Sequence, residues 1–328
     1  MGWGKWGFTL ESSAPPVHSF TAQSAVRMPL TDDPRAGRSG PGSDPRADPA
    51  ALGHTGPVPT FSVEGIRLTR VPYFDVTLGP EIIGFTAARV AGVPWGVPDW
   101  ATPEGRVLVG QAVWVVESDG QTVVVDPCGA ADAFLRSGPE AIGHQTAVAD
   151  ALSTAGFPVG TVDSVVLSHL DGIGMAAAVD TEGGWSPFFP NARVVMSRAE
   201  LTHVAAEPAI GGSAALRRLI EQGVVEGVDP PREVAPGVTL ELTGGHSPGH
   251  CVVRVGEGAV LVGHLAISPL QAGAGVIRDQ HRDDELAHSA LERELAWAAE
   301  RDALVIGPLW PVPGAGRVAG PPWAVGAV

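Results

Sequence analysis

Four predicted strands of this sequence end in loops that carry polar or aromatic side chains, and this arrangement limits the folds open to the chain. Three of the loops contain histidine: His169 follows one strand, His246 and His250 follow a second, and His264 follows a third. The fourth loop, at 307–318, reads GPLWPVPGAGRV. Because strand ends present their side chains to a shared cleft, we expect these loops to meet at one edge of a sheet.

The segments around these loops predict alternating strands and helices. Apolar, β-branched runs predict strands, the first two joined as a hairpin, at 106–117, 122–126, 162–168, 193–196, 238–242, 251–255, 259–262 and 303–307. Helices are predicted at 139–156, 197–206 and 213–222, and over a long segment that opens at Asp283 and Asp284. Hairpins come first and strands then alternate with helices, which predicts two sheets with helices outside.

The first 60 residues differ from the rest in composition. The stretch from Thr31 to Pro59 is rich in proline, glycine and aspartate and lacks a sustained apolar period. Such a segment cannot bury enough surface to offset its ordering entropy. We therefore expect a flexible leader at 1–60 and one domain at 61–328.

The charge of the chain excludes one class of partner. Its 36 acidic residues outnumber 21 basic ones, the formal net charge is -15, and Lys5 is the single lysine. Since phosphate neutralisation needs clustered Lys and Arg, we exclude nucleic acid as a partner. No apolar run approaches the roughly 18 residues of a transmembrane helix, and no secretory signal is recognisable. We expect a cytoplasmic protein without a membrane partner, and the oligomeric state stays open.

Six segments, in order, resemble the metallo-β-lactamase superfamily, especially its lactonase-like and glyoxalase-II-like hydrolases. VVVDPCG looks like the family's LIDTG, with Asp126 at the Asp, and VVLSHLDGIG is similar to LTHxHxDHxGG. GHSPGH resembles GHTPGH, LVGHLAISP resembles LVGDxxxxP, and GPLWPVPGAGRV resembles GTHFPxPGxGRV, while WSPFFPNARVVMSRAE fits the segment between. The resemblance covers roughly residues 61–320 and implies an αββα sandwich, an α+β fold with the site at one edge of two packed sheets.

The sequence departs from the family at several metal-ligand positions. His169 and His246 stand where the family has histidine. Without gaps, the second His of the first motif becomes Asp171; with a two-residue deletion, Asp171 takes the family's Asp position. His264 replaces the bridging Asp, and Leu309, which cannot bind a metal, replaces the terminal His.

These residues still suffice for one metal ion. A catalytic zinc takes about three protein ligands and keeps an open position. The candidate ligands are His169, Asp171, His246 and His264, for one zinc or another divalent ion at most, with a metal-free site as the alternative. A dinuclear centre would need the bridging carboxylate and further ligands. By the same resemblance, Asp126 and His250 are expected behind the ligands, Asp126 orienting the loop and His250 stabilising it by a hydrogen bond.

Three functions fit this site. The first is hydrolysis of an ester, lactone or thioester through one metal ion, with Asp171 as ligand or general base and His264 as ligand or proton shuttle. The second is metal-independent acid–base chemistry, such as cyclisation, dehydration or isomerisation in specialised metabolism. The third is non-catalytic ligand or partner binding. Apolar Ile173, Leu309 and Trp310 near the site favour a small, fairly apolar substrate.

Two cysteines and three further histidines have simpler interpretations. Cys128 and Cys251 are too few for a disulfide framework and are typical of small buried residues. Either one is, as an alternative, a thiol nucleophile activated by His246 or His264. The remaining histidines lie in polar, helix-like segments and are interpreted as surface residues: His203, His281 and His288.

Overall fold

The strands of this protein assemble into two large sheets and one small one. The computed structural model describes residues 58–127, 139–170, 177–181, 184–210, 212–277 and 280–328, and all of these lie in the unit Ala47–Val328. The predicted leader therefore falls almost entirely outside the described residues, and the domain boundary at about residue 60 stays a prediction.

The first half of the chain supplies the first large sheet and the small sheet. Its strands are β1 (Thr60–Val63), β2 (Ile66–Leu78), β3 (Val107–Ser118), β4 (Gln121–Val125), β5 (Ser164–Leu167), β6 (Ala178–Thr181), β7 (Gly184–Pro187), β8 (Arg193–Ser197) and β9 (Val225–Val228). Its helices are α1 (Ala87–Ala91), α2 (Pro139–Thr154), α3 (Arg198–Ala206) and α4 (Ser213–Glu221).

The second half supplies the second large sheet. Its strands are β10 (Arg232–Ala235), β11 (Val238–Leu242), β12 (Cys251–Val255), β13 (Ala259–Leu261), β14 (Leu304–Ile306), β15 (Ala315–Ala319) and β16 (Ala324–Ala327). Its helices are the short α5 (Gln271–Ala274) and the long α6 (Asp284–Arg301).

Within the described ranges, each large sheet has seven strands. The first runs β1-β2-β3-β4-β5-β8-β9 and the second runs β10-β11-β12-β13-β14-β15-β16, while β6 and β7 form the small sheet. Strands β4, β5, β8 and β9 are parallel neighbours, as are β13 and β14. The loops after β4, β5 and β13 therefore leave at the carboxyl ends of parallel strands, where clefts of α/β sheets lie.

The two sheets pack face to face with helices on both outer sides. Side chains from both sheets, such as Trp114 and Leu240, share one buried cluster between them. A second cluster joins the outer face of the first sheet to α2 and α4, through Leu152 and Leu216. A third joins the second sheet to α6, through Leu291. The αββα layering expected from the resemblance is confirmed.

Strand prediction missed strands at the start, in the middle and at the end of the domain, and the longest of them is β2. The hairpin of β3 and β4 forms as predicted, with Ser118 opposite Gln121. Strand β2 was not predicted, although it pairs with β3 along its length. Its register shifts between Pro72 and Phe74, because proline has no N–H to donate to the ladder. The stretch around the shift, RVPY from Arg70 to Tyr73, interrupts the alternation of apolar and polar residues that would have identified the strand.

Among the described residues, no helix is both long enough and apolar enough to cross a membrane.

Leu240→Ala tests the core between the sheets. Leu240 is fully buried on β11, so its truncation leaves a cavity and should lower the free energy of unfolding by about 2–5 kcal/mol. Leu242 lies on the same strand and is 50% exposed, so Leu242→Ala should cost less than about 1 kcal/mol. Urea unfolding of both variants measures the difference, and equal losses would contradict the packing described.

Candidate functional site

Three histidines from three loops converge at the carboxyl ends of the parallel strands. His169 follows β5, His246 lies between β11 and β12, and His264 lies in a 3-10 turn, Gly263–Leu265, after β13. One nitrogen from each ring lies within 4.8 Å of the others. The first sheet provides one of these residues and the second sheet provides the other two, so the site exists only because the sheets pack together.

The three rings form a compact, largely buried group. The ring centroid of His169 lies 4.6 Å from that of His246 and 4.4 Å from that of His264. The centroids of His246 and His264 are 5.3 Å apart. His169 and His264 are 5% and 3% exposed, whereas His246 is partly exposed. The cluster thus has one side turned toward solvent.

The three histidines form a donor set that could hold a metal ion. Three imidazole nitrogens with an open fourth position are the ligand set of a catalytic zinc. Leu309, which the sequence resemblance aligns with a terminal histidine, is buried, and its backbone oxygen accepts the N–H of Gly110 at 3.0 Å. Asp171, the fourth candidate ligand, lies outside the described residues.

Asp126 lies behind the loop that carries His169. Its Oδ1 accepts the backbone N–H of Ser168 at 2.7 Å, and the Oγ of Ser168 lies 2.8 Å from Nδ1 of His169. These two contacts fix the loop that carries His169 and the position of Nδ1 in its ring. Asp126 therefore acts on the His169 loop through Ser168.

His250 is fully buried beside the rings of His169 and His246. Its Nδ1 lies 2.7 Å from Oγ1 of Thr243, and its ring centroid lies 5.3 Å from that of His169. Gly263 passes close by with φ +54: a Cβ there would lie 2.6 Å from His250 Nε2 and 2.8 Å from Ser168 Oγ. Only glycine fits this approach, which brings the His264 turn against the other two loops.

Glu200 was not identified from the sequence as a site residue, yet its carboxylate joins two histidine loops. It is fully buried, and its Oε1 accepts the N–H of Leu170 at 3.0 Å. Its Oε2 accepts the hydroxyl of Ser247 at 2.6 Å and the N–H of Gly249 at 3.1 Å. One carboxylate therefore holds both the residue after His169 and the residue after His246.

The sequence signal at Glu200 indicates a different role. Ser197 and Glu200 have the S-x-x-E spacing of a helix capping box, in which the glutamate would bond back to the cap residue. Ser197 does cap α3, since its Oγ accepts the N–H of Glu200 at 3.0 Å. Gly249 packs on the same turn, where a Cβ would lie 2.0 Å from Glu200 N. The carboxylate of Glu200 therefore bonds to the loops of His169 and His246 rather than back to the cap residue.

The interpretation of His281 as a surface residue is wrong. Its Nδ1 lies 3.2 Å from Nδ1 of His246, and it is only partly exposed. Burial lowers the pKa of His281 below its ordinary value, although the charge of Asp284 opposes that shift. The sequence pattern places His281 in a polar segment before a helix, and no neighbouring residue in the sequence indicates its contact with His246. His288 is exposed as expected, whereas His203 is half-buried beside Glu207.

Cys251 is a poor nucleophile in this environment. Its side chain is buried at the start of β12, and burial raises the pKa of its thiol to about 12. The thiolate, which is the reactive form, is therefore scarce at neutral pH. Cys128 lies outside the described residues, and its reactivity stays a prediction.

Glu200→Gln tests the carboxylate that joins the loops. All three partners are donors, so the amide NH2 of glutamine would face a donor. We expect the free energy of unfolding to fall by about 1–3 kcal/mol in urea titrations. Glu285→Gln, at an exposed position of α6, should change it by less than about 0.5 kcal/mol. Equal stability of the two variants would contradict the role assigned to Glu200.

Alkylation tests the thiol of Cys251. At pH 8 the native protein should react with iodoacetamide at this residue at least about 100-fold more slowly than the urea-unfolded protein, because only the thiolate reacts. Peptide mass spectrometry separates Cys251 from Cys128. Rapid labelling of Cys251 in the native state would revive the thiol-nucleophile hypothesis.

Comparisons with known proteins find similarity in structure only. No family model matches the sequence, and no curated protein matches it. Among solved structures, the hydrolase AbOPH of the beta-lactamase superfamily is 18% identical with a TM-score of 0.67, and the match covers 84% of this chain and 99% of that one.

Two further solved structures show the same architecture. AidC, a dizinc quorum-quenching lactonase, is 18% identical with a TM-score of 0.63, over 82% of this chain and 96% of its own. A probable metal-dependent hydrolase from Staphylococcus aureus is 13% identical with a TM-score of 0.59, over 76% and 91%. The resemblance seen in the sequence is confirmed at the level of the fold: this chain has the metallo-β-lactamase fold.

Proposed function

We propose that this protein is a hydrolase that cleaves an ester, lactone or thioester of a small, fairly apolar molecule at a single-metal site. The observation that carries the proposal is the convergence of His169, His246 and His264, with ligand atoms within 4.8 Å of one another. Hydrolases and a lactonase among the structural neighbours support the reaction class. The metal is zinc or another divalent ion, because three imidazoles suit several such ions.

Two of the three histidines, His169 and His246, lie on loops with a defined support. Ser168 holds His169 from one side, and Glu200 holds the loops of His169 and His246 through backbone and hydroxyl donors. When bound, the ion supplies Lewis acidity toward a carbonyl and lowers the pKa of a coordinated water. His264 is proposed as the third ligand or as a proton shuttle. Asp171 is proposed as an additional ligand or as the general base that receives the proton of water.

A single ion fits this chain better than the two of AidC. His264 stands where the family's bridging carboxylate lies, and Leu309 where its terminal histidine lies, so two ligands of a second ion are missing. Leu309 and Trp310 are buried beside the His264 segment, since Trp310 Nε1 donates to the oxygen of Ala266 at 2.9 Å. These apolar replacements favour an apolar substrate over a small charged one.

Elemental analysis tests the site. Protein expressed with zinc, iron and manganese should retain about one equivalent of metal per chain, as a three-histidine site predicts. His169→Ala, His246→Ala and His264→Ala should each lose most of it, because two remaining imidazoles hold an ion weakly. His288→Ala removes an exposed histidine and serves as the control. The rate at which the protein hydrolyses a panel of apolar esters, lactones and thioesters should fall in the same variants that lose the metal.

Two results would contradict the proposal. Folded wild-type protein without metal that is indifferent to chelators would exclude single-metal hydrolysis and leave acid–base chemistry by the histidines as the remaining enzymatic hypothesis. Metal retained equally in all three alanine variants would show that the ion binds elsewhere.

A further inference from the structure

His281, which is not one of the candidate ligands, contacts the cluster of three histidines. Its Nδ1 lies 3.2 Å from Nδ1 of His246, with ring centroids 5.2 Å apart and planes at 79°. We propose that His281 is a positioning residue that accepts the Nδ1–H of His246 and so directs Nε2 of His246 toward the metal. This inference rests on the single-metal site proposed above.

The chemistry of imidazole requires such a partner. A neutral imidazole has one N–H donor and one acceptor nitrogen, so two facing Nδ1 atoms form a hydrogen bond when one of them carries the proton. A histidine that binds a metal through one nitrogen characteristically donates its other N–H to a neighbouring acceptor, which fixes the tautomer and the ring orientation. Nδ1 of His281 is in the place of that acceptor.

The pairing has a counterpart at a second candidate ligand. His169 has its Nδ1 2.8 Å from Oγ of Ser168. In both rings a protein group lies at Nδ1, which assigns Nε2 to the metal in each. The contact at His246 and the contact at His169 are therefore consistent with each other. In both, the group next to Nδ1 determines that Nε2 is the nitrogen available to the metal.

The backbone holds His281 in place. The N–H of Arg282 donates to the oxygen of His246 at 3.1 Å, and the N–H of Asp283 donates to the oxygen of Gly245 at 3.0 Å. These two bonds attach the segment directly after His281 to the loop that carries His246. The backbone therefore keeps the two histidines next to each other.

Close packing makes this attachment rigid. Gly245 has φ +84, and a Cβ there would lie 2.5 Å from the backbone nitrogen of Ala287 in α6. The Asp283 side chain caps α6 by accepting the N–H of Leu286 at 2.9 Å. The helix start and the His246 loop thus behave as one unit, which gives His281 the fixed geometry that a positioning residue needs.

A pair of matched variants tests the acceptor role. His281→Asn keeps an acceptor, since its Oδ1 takes the place of Nδ1, whereas His281→Leu has nearly the same shape as Asn and no acceptor. Both are compared with wild type and with the exposed-site control His288→Ala. Affinity for Co²⁺ and Zn²⁺ is measured by competition with a chromophoric chelator, and the visible absorption spectrum of bound Co²⁺ reports the ligand geometry.

The leucine variant should bind metal about 10–100-fold more weakly, with an altered Co²⁺ spectrum, as losses of such outer hydrogen bonds do. The asparagine variant should stay within about threefold of wild type. Circular dichroism of the metal-free proteins confirms folding, and His281→Ala replaces the leucine variant if that one does not fold.

The outcomes separate this inference from the proposed function. If wild type binds metal and the leucine variant binds it equally well with an unchanged spectrum, the role of His281 is refuted and the single-metal site stands. Equal losses in the asparagine and leucine variants would also refute it, because packing rather than the acceptor would then matter. If folded wild type binds no metal, both proposals fail together.

Discussion

The buried carboxylate of Glu200 is the interaction on which the site depends. A carboxylate removed from water is costly unless its oxygens accept hydrogen bonds, and here the backbone N–H groups of Leu170 and Gly249 and the hydroxyl of Ser247 supply them. Those donors belong to the loops that carry His169 and His246. The hydrogen bonds that satisfy the buried carboxylate of Glu200 therefore also set the distance between His169 and His246, which come from different sheets.

The sheet arrangement explains why the loops are near one another at all. Parallel neighbours β4 and β5 in one sheet, and β13 beside β14 in the other, end at the same edge, so Asp126, His169 and His264 follow them into a common region. Glycines complete the approach, because a Cβ at Gly263 would collide with His250 and Ser168. Close packing thus brings the strand ends together as a cluster of imidazoles, and the segment before α6 adds His281 from outside.

Much of the site could be predicted from the sequence, for identifiable reasons. His169, His246 and His264 follow short apolar strands, and such positions face a shared cleft whatever the loops contain. The sandwich followed from motifs in a fixed order. Other features could not be predicted: β2 has its alternation interrupted at Pro72, Glu200 has the spacing of a capping residue, and His281 belongs to a polar segment without a pattern. Each of these depends on partners distant in the chain.

The sequence by itself determined which residue types follow the strands, since Leu309 cannot bind a metal and His264 is an imidazole rather than a carboxylate. Those facts are local and follow from side-chain chemistry. Only the tertiary structure decided that the three histidines lie within 4.8 Å, that Glu200 bonds to two loops, and that His281 faces His246. Hydrogen bonds between loops remote in sequence require both partners to be placed by the packed sheets, and no local pattern encodes that placement.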